Sequence, residues 1–443
     1  MFVIGEAVWF PIALYVPALT FNQVTGIGVH TITPIVCAIV TFYTCVGGLK
    51  AVVWTDVVQS GLMYGSILLV MIKGTYDLGG LSVVLQRNDD SGRLISAEWT
   101  IDPTVRMSML AVIIGGTLLR IQGTSIHQVG VQRFLSLPSS KDVKISLILS
   151  SLGVIILLGS CVYTGVLAYA FYYRCDPTTT GLAQAKDQII PVYIMKVLEN
   201  YPGLAGVFVS GVFSAALSSL SSSLNSLAAV VHEDFMKKFS KTPLTKMQSA
   251  LIMRSTVIVV GIIGFCLVFV VEKLGTVMQL SATMQSITQG PLFAIFTIGM
   301  CLPWIKSEST ITGGVMAFII MAWICIKAQL AIATGDMVFR TKPVSIDGCD
   351  YYFGNVTISN VTNFVEDYPE KSIYHISFLW YCPLGFAITI ILSILSSFIY
   401  GWNDTSEMDR DLIALPIHRF MKPRKYKSID NITENYEKPK LIC

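Results

Sequence analysis

The chain has 443 residues, of which 53% are hydrophobic and only 13% charged, and a formal net charge of +3. With a mean hydropathy of +0.64, it has too few charges to clothe a soluble protein of this length, and its apolar residues run in blocks, which marks a polytopic membrane protein. The small net charge implies no nucleic-acid partner, because the basic residues collect in short loops and in the tail, where membrane topology accounts for them.

A spanning helix needs about 20 apolar residues. On that measure ten spans are predicted, near residues 2–22, 29–48, 54–76, 106–126, 143–172, 203–231, 248–272, 276–302, 309–331 and 375–400. The opening MFVIGEAVWFPIALYVPALTF has neither a basic leader nor a small-residue cleavage site, so it reads as a true span. Loops carrying Arg133, Lys141 and Lys144, then Lys237, Lys238, Lys241, Lys246 and Arg254, and the tail HRFMKPRKYK, fall on one side when the spans alternate. By the positive-inside rule that side, with both termini, is cytoplasmic.

The other face holds loops near 77–105, 173–202 and 332–374, the last with sequons at Asn355 and Asn360 as expected glycosylation sites. Residues 1–401 are expected to form the transmembrane domain, and 402–443 a polar, disordered cytoplasmic tail. Most of the ten cysteines, among them Cys37, Cys45, Cys161, Cys266 and Cys325, lie in apolar blocks and behave as small hydrophobes. Cys175 and Cys349 fall in loops of the same outer face, and spacing alone leaves a bridge between them open.

Four polar stretches interrupt the spans. In GGLKAVVWTDVVQ, Gly47 to Gln59, the glycines suit a tight turn and Thr55 is placed to cap the next helix. Asp56 then either sits in a first turn that favours negative charge or serves as a way-station for a cation leaving to the cytosol. In GTLLRIQGTSIHQVGVQRFLS, Gly116 to Ser136, the density of Arg120, Gln122, His127, Gln128 and Gln132 among glycines predicts a helix broken beside a ligand, or one that ends early at water. His127 has no metal-ligating neighbour in sequence. Arg120 is either a partner for a carboxylate solute or an outward-snorkelling side chain.

The third, SAALSSLSSSLNS, puts seven serines between Ser214 and Ser226, with Ala215, Ser218, Ser219, Ser222 and Ser226 on one helical face. Such a face either glues helices together or supplies neutral oxygens to Na+. The fourth, VMQLSATMQSITQGPLF, punctuates a span with Gln279, Gln285 and Gln289, amides that bond between helices or line a cavity. No catalytic constellation appears, so the chain is not expected to be an enzyme.

Together these stretches resemble the sodium/solute symporters. GGLKAVVWTDVVQ is similar to that family's turn and helix start, FSAALSSLSSSLNSLAAVVHEDF to its sodium-site helix, and HQVGVQRFLS to its substrate-side segment. LYVPALTFNQVTG and the long glycosylatable loop are most similar to the multivitamin and monocarboxylate branch. The resemblance implies an all-α LeuT-type bundle of two inverted five-helix repeats in the plasma membrane, and symport of Na+ with a small organic solute, an organic anion such as a vitamin or monocarboxylate.

Carried over by position, Ala215 offers a carbonyl and Ser218 and Ser219 their hydroxyls to Na+, the coupling ion, with no other cofactor. Asp56 lies on the inner ion pathway, and His127, Gln128 and Gln285, with Arg120, on the substrate side. Members of the family carry about three helices ahead of the point that matches Met1, one of which completes the sodium site. The resemblance is therefore to a member lacking its beginning, and the rival expectation is a non-transporting truncated or regulatory protein.

Overall fold

The computed structural model describes residues 1–94, 98–183, 185–201, 203–240, 243–272, 277–334, 342–349 and 373–421. The sequons at Asn355 and Asn360 lie outside them, as does the side chain of Gln279. The described chain is all-α, with a single isolated bridge between Ile305 and Trp402.

The first helix, α1 (Phe2–Thr25), passes through Pro11 and Pro17 and stops at Gly26, which takes a left-handed φ of 74°. Such a stop suits glycine, which has no Cβ to clash. α2 (Val29–Asp77) comprises two predicted spans run together across a kink at Gly48, whose φ/ψ of 56°/−160° is closed to other residues. Because one residue absorbs the whole bend, the helix resumes at once. Thr55 is therefore inside it, its hydroxyl donating to the Val52 carbonyl at 2.9 Å, and is not the cap expected. Asp56 accordingly lies beyond the first turn.

After α3 (Leu81–Asp90), a π-helical turn at Ala111–Gly115 leads into α4 (Gly116–Ser125), then α5 (Gln128–Leu135) and the long α6 (Ser140–Phe171). The predicted break is present. His127, with extended φ/ψ of −62°/123°, separates α4 from α5, so the fourth span stops just before it and a second short helix follows. α7 (Ile189–Val197) precedes the serine-rich α8 (Leu204–Val230), which continues through a π turn into α9 (Lys237–Phe239). α10 (Lys246–Val271) opens on a capping box in which Thr245 accepts from the Gln248 N–H. α11 (Val277–Cys301), α12 (Ser307–Ala333) and α13 (Tyr381–Tyr400) complete the bundle.

Among the described residues eight helices are long and apolar enough to cross a bilayer. The predicted fourth and eighth spans are not among them, for physical reasons. One is broken at His127, and the other, α11, carries Thr283, Gln285, Ser286, Thr288 and Gln289. The most apolar stretch of α6 has none of its residues buried, and Ile148, Leu149, Leu152 and Ile155 are exposed along it. An apolar face of that length suits only lipid.

One core joins α1, the first half of α2, α8 and α10 through Phe10, Leu14, Val40, Leu220, Leu224 and Val257. A second joins α11, α12 and α13 through Ile287, Met321, Ile324 and Tyr381. Close approach needs small residues. A Cβ on Gly5 would come within 2.5 Å of Thr288 Oγ1, so α1 touches α11 only because that position is bare.

Cys175 and Cys349 form a disulfide with Cα atoms 5.0 Å apart, joining the segment after α6 to the loop before α13. Residues 402–421, expected to be disordered, instead form short 3₁₀ turns. They dock against the α11–α12 connection, the Asn403 N–H donating to Trp304 O at 2.8 Å and the Ala414 N–H to Met300 O at 3.1 Å. The polar composition of that segment hides the buried anchor Ile413.

Candidate functional site

Two polar clusters sit where α8 meets its neighbours. The first is built on the serine face. Ser218 Oγ donates to Asp56 Oδ1 at 2.5 Å, and Arg133 on α5 donates to Asp56 Oδ2 at 2.5 Å and also to Ser222 Oγ. Ser218 and Ser222, four apart, thus face one carboxylate and its guanidinium partner. Asp56 is largely buried, at 14% side-chain exposure, whereas Arg133 is 40% exposed. Hydrogen bonds to an ionised group are the stronger kind, and this cluster ties α2, α5 and α8 together.

Ser219 is exposed and turns its hydroxyl back to the Ala215 carbonyl at 3.1 Å. Ala215, Ser218 and Ser219 therefore share a helical turn, with the Ala215 carbonyl accepting from Ser219 and Ser218 turned to Asp56. Further along, Ser226 Oγ donates to Gln132 Oε1 at 3.3 Å, and Tyr43 Oη donates to the Leu217 carbonyl at 2.9 Å.

The second cluster centres on Glu6 of α1. Its Oε1 lies 2.9 Å from His127 Nε2, and its Oε2 accepts from Ser223 of α8. The helix break at His127 brings that imidazole inward, where Phe2 packs edge-on with ring centroids 5.4 Å apart. Glu6, Gln122, His127, Gln285, Thr288 and Gln289 border a cavity of about 20 Å³. That is room for a single water or a compact ion. On α11, Gln289 Nε2 donates to Gln285 Oε1 at 2.6 Å, and Gln285 Nε2 donates to Ser281 Oγ at 3.0 Å. Gln122 Nε2 and Gln289 Oε1 are buried without a hydrogen-bond partner. Leaving such an atom unsatisfied costs about 1–3 kcal/mol.

The predicted residues thus divide. His127 and Gln285 meet at the cavity, while Gln128, half-buried at the start of α5, is not part of its lining. Arg120 is exposed on α4 and is not part of the cavity lining. Asp56 meets Ser218 and pairs with Arg133, which the sequence marks only as a basic loop residue. Glu6 and Ser223 were missed. The signal was present, since Glu6 is the only charged side chain of α1, and an ionisable group inside a span rarely lacks a role. Among the described residues no group of His, Cys, Asp and Glu is spaced to hold a metal ion of the transition-metal type.

Comparison with known proteins decides the family. Residues 10–325 match the Sodium:solute symporter family. The chain belongs to that family. It is 31% identical over 418 residues to sodium-coupled monocarboxylate transporter 1 of Homo sapiens, covering 90% of this chain and 67% of that one. To the putative sodium-dependent multivitamin transporter of Drosophila melanogaster it is 30% identical over 444 residues, covering 96% of this chain and 72% of that one. The symporter chain therefore spans about two thirds of the length of the curated relatives it matches. Its fold is similar to that of a Na+-coupled sialic acid symporter solved in a substrate-bound outward-open state, with a TM-score of 0.66 at 21% identity, covering 90% of this chain and 74% of that one. The bundle is thus of the LeuT type, as the resemblance implied.

Proposed function

We propose that this family member is a plasma-membrane symporter in which Na+ moving inward drives uptake of a small organic solute by alternating access. The observation that carries the reading is the contact of Ser218 with Asp56, which joins the two motifs expected to handle the ion. Na+ is a hard ion that prefers several neutral oxygens with a nearby carboxylate; the Ala215 carbonyl and the Ser218 and Ser219 hydroxyls lie within one turn of α8, and Asp56 of α2 meets Ser218 from across the helix contact. Release to the cytosol then runs past Asp56, whose charge Arg133 balances between cycles.

The solute is an organic anion of the monocarboxylate or vitamin class. That class is supported by the names of the relatives alone. His127 and Gln285 form its contact surface, with Gln128 beside the helix break. Both termini face the cytosol, and Asn355 and Asn360 carry glycans outside. The test is Na+-dependent uptake in an active form with Ser218→Ala and Ser219→Ala combined. The half-saturating Na+ concentration should rise while the amount of protein at the surface holds. Equal loss of protein and of transport would instead assign the serines to helix packing.

A further inference from the structure

The Glu6 cavity holds a charge without a permanent counter-charge. Glu6 is 5% exposed, and among the described residues His127 is the only basic side chain in ion-pair reach of it. Among the described residues neither lysine nor arginine borders the cavity. Each element packed around Glu6 offers polar but uncharged groups otherwise: Ser223 from α8, Gln122 from α4, Thr288 and Gln289 from α11. The next ion pair, Arg133 with Asp56, is closed on itself. An ionised carboxylate in a dry membrane interior is too costly to stand alone. A bound cation relieves that cost.

Two further observations call for an occupant. Gln289 Oε1 is buried without a donor, and Gln122, only 1% exposed, has an amide nitrogen without an acceptor. Both residues border the same cavity, whose volume of about 20 Å³ admits a compact ion and no whole organic molecule. Trp9 closes another side.

We infer that Glu6 binds a compact monovalent cation, with the Gln289 carbonyl oxygen as a second ligand. The cation is Na+ or the ammonium end of an organic solute, since carboxylate and amide oxygens satisfy both. Its role rests on the symport reading. An anionic solute entering beside Glu6 meets like charge, and a cation between them removes that repulsion, while the free N–H of Gln122 is left to donate to the anion's oxygen.

The test uses the purified full chain in lipid nanodiscs, carrying Ser218→Ala and Ser219→Ala so that the serine site is silent. Thermal unfolding is titrated with NaCl against N-methyl-D-glucamine chloride at constant ionic strength, and separately with methylammonium chloride. Glu6→Gln should raise the half-saturating concentration of one of these cations roughly tenfold or more. A change confined to Na+ assigns the inorganic ion, and one confined to methylammonium assigns the solute's amine. Gln289→Leu, which removes the second ligand, should weaken the same cation as well. Identical titrations for both cations with and without Glu6→Gln overturn the inference. Should Glu6→Gln fail to fold, cation binding unchanged by Gln289→Leu overturns it as well. Glu6-dependent binding in a chain that shows no uptake would leave this site standing and remove the symport reading.

Discussion

Replacing Arg133 with glutamine removes one partner of the pair that links α2, α5 and α8. Losing one partner of a fully buried pair costs about 3–5 kcal/mol, whereas an exposed pair contributes about 0–1 kcal/mol. With Asp56 at 14% and Arg133 at 40% exposure, and with Ser218 still donating to Asp56, an intermediate loss of about 1–3 kcal/mol is expected. Asp56→Asn alone strands the guanidinium less severely, because Arg133 reaches water and keeps Ser222. In the double variant neither charge is stranded, so the two losses should fall short of additivity by about 1–2 kcal/mol. Reversible unfolding of the detergent-solubilised protein by SDS measures all four corners of the cycle. Additive losses, with a coupling below about 0.5 kcal/mol, would refute the claim that the pair holds these helices together.

Two other predictions follow from packing and topology. Gly5→Val should destabilise the protein by about 1–3 kcal/mol, since its Cβ would meet Thr288 Oγ1 at 2.5 Å, and Thr288→Ala should restore part of the loss in the same unfolding assay. In a eukaryotic host, glycosidase treatment should sharpen and speed the gel band of the natural chain. Combined Asn355→Gln and Asn360→Gln should abolish that change, and its persistence would place the glycans and the membrane orientation elsewhere.

Much of the fold was legible because a bilayer imposes a simple rule, that helices crossing it must be long and apolar. The broken fourth span was legible for a second reason, since Gln122, His127 and Gln128 among glycines have no place in a continuous lipid-facing helix. Local chemistry misled where a single residue changed the backbone. Gly48 bends α2 so tightly that Thr55 has no helix start to cap. The site was half legible. Ser218 and Asp56 stood out as polar groups in apolar runs, and the structure brings them together. Glu6 was passed over because one acid in a 24-residue apolar helix looks incidental until α8 and the His127 turn close on it. Docking of residues 402–421 was invisible for a similar reason, as its anchor Ile413 gains meaning only from the helices it meets.

The most direct test of the central claim is solute accumulation by the chain reconstituted in proteoliposomes. With an inward Na+ gradient, labelled lactate or biotin should rise above its equilibrium level and fall back when K+ replaces Na+. Combining Ser218→Ala with Ser219→Ala should shift the Na+ dependence to higher concentration. Folded protein that accumulates neither solute under a Na+ gradient, or does so with the same Na+ dependence after both serines are removed, would contradict the account.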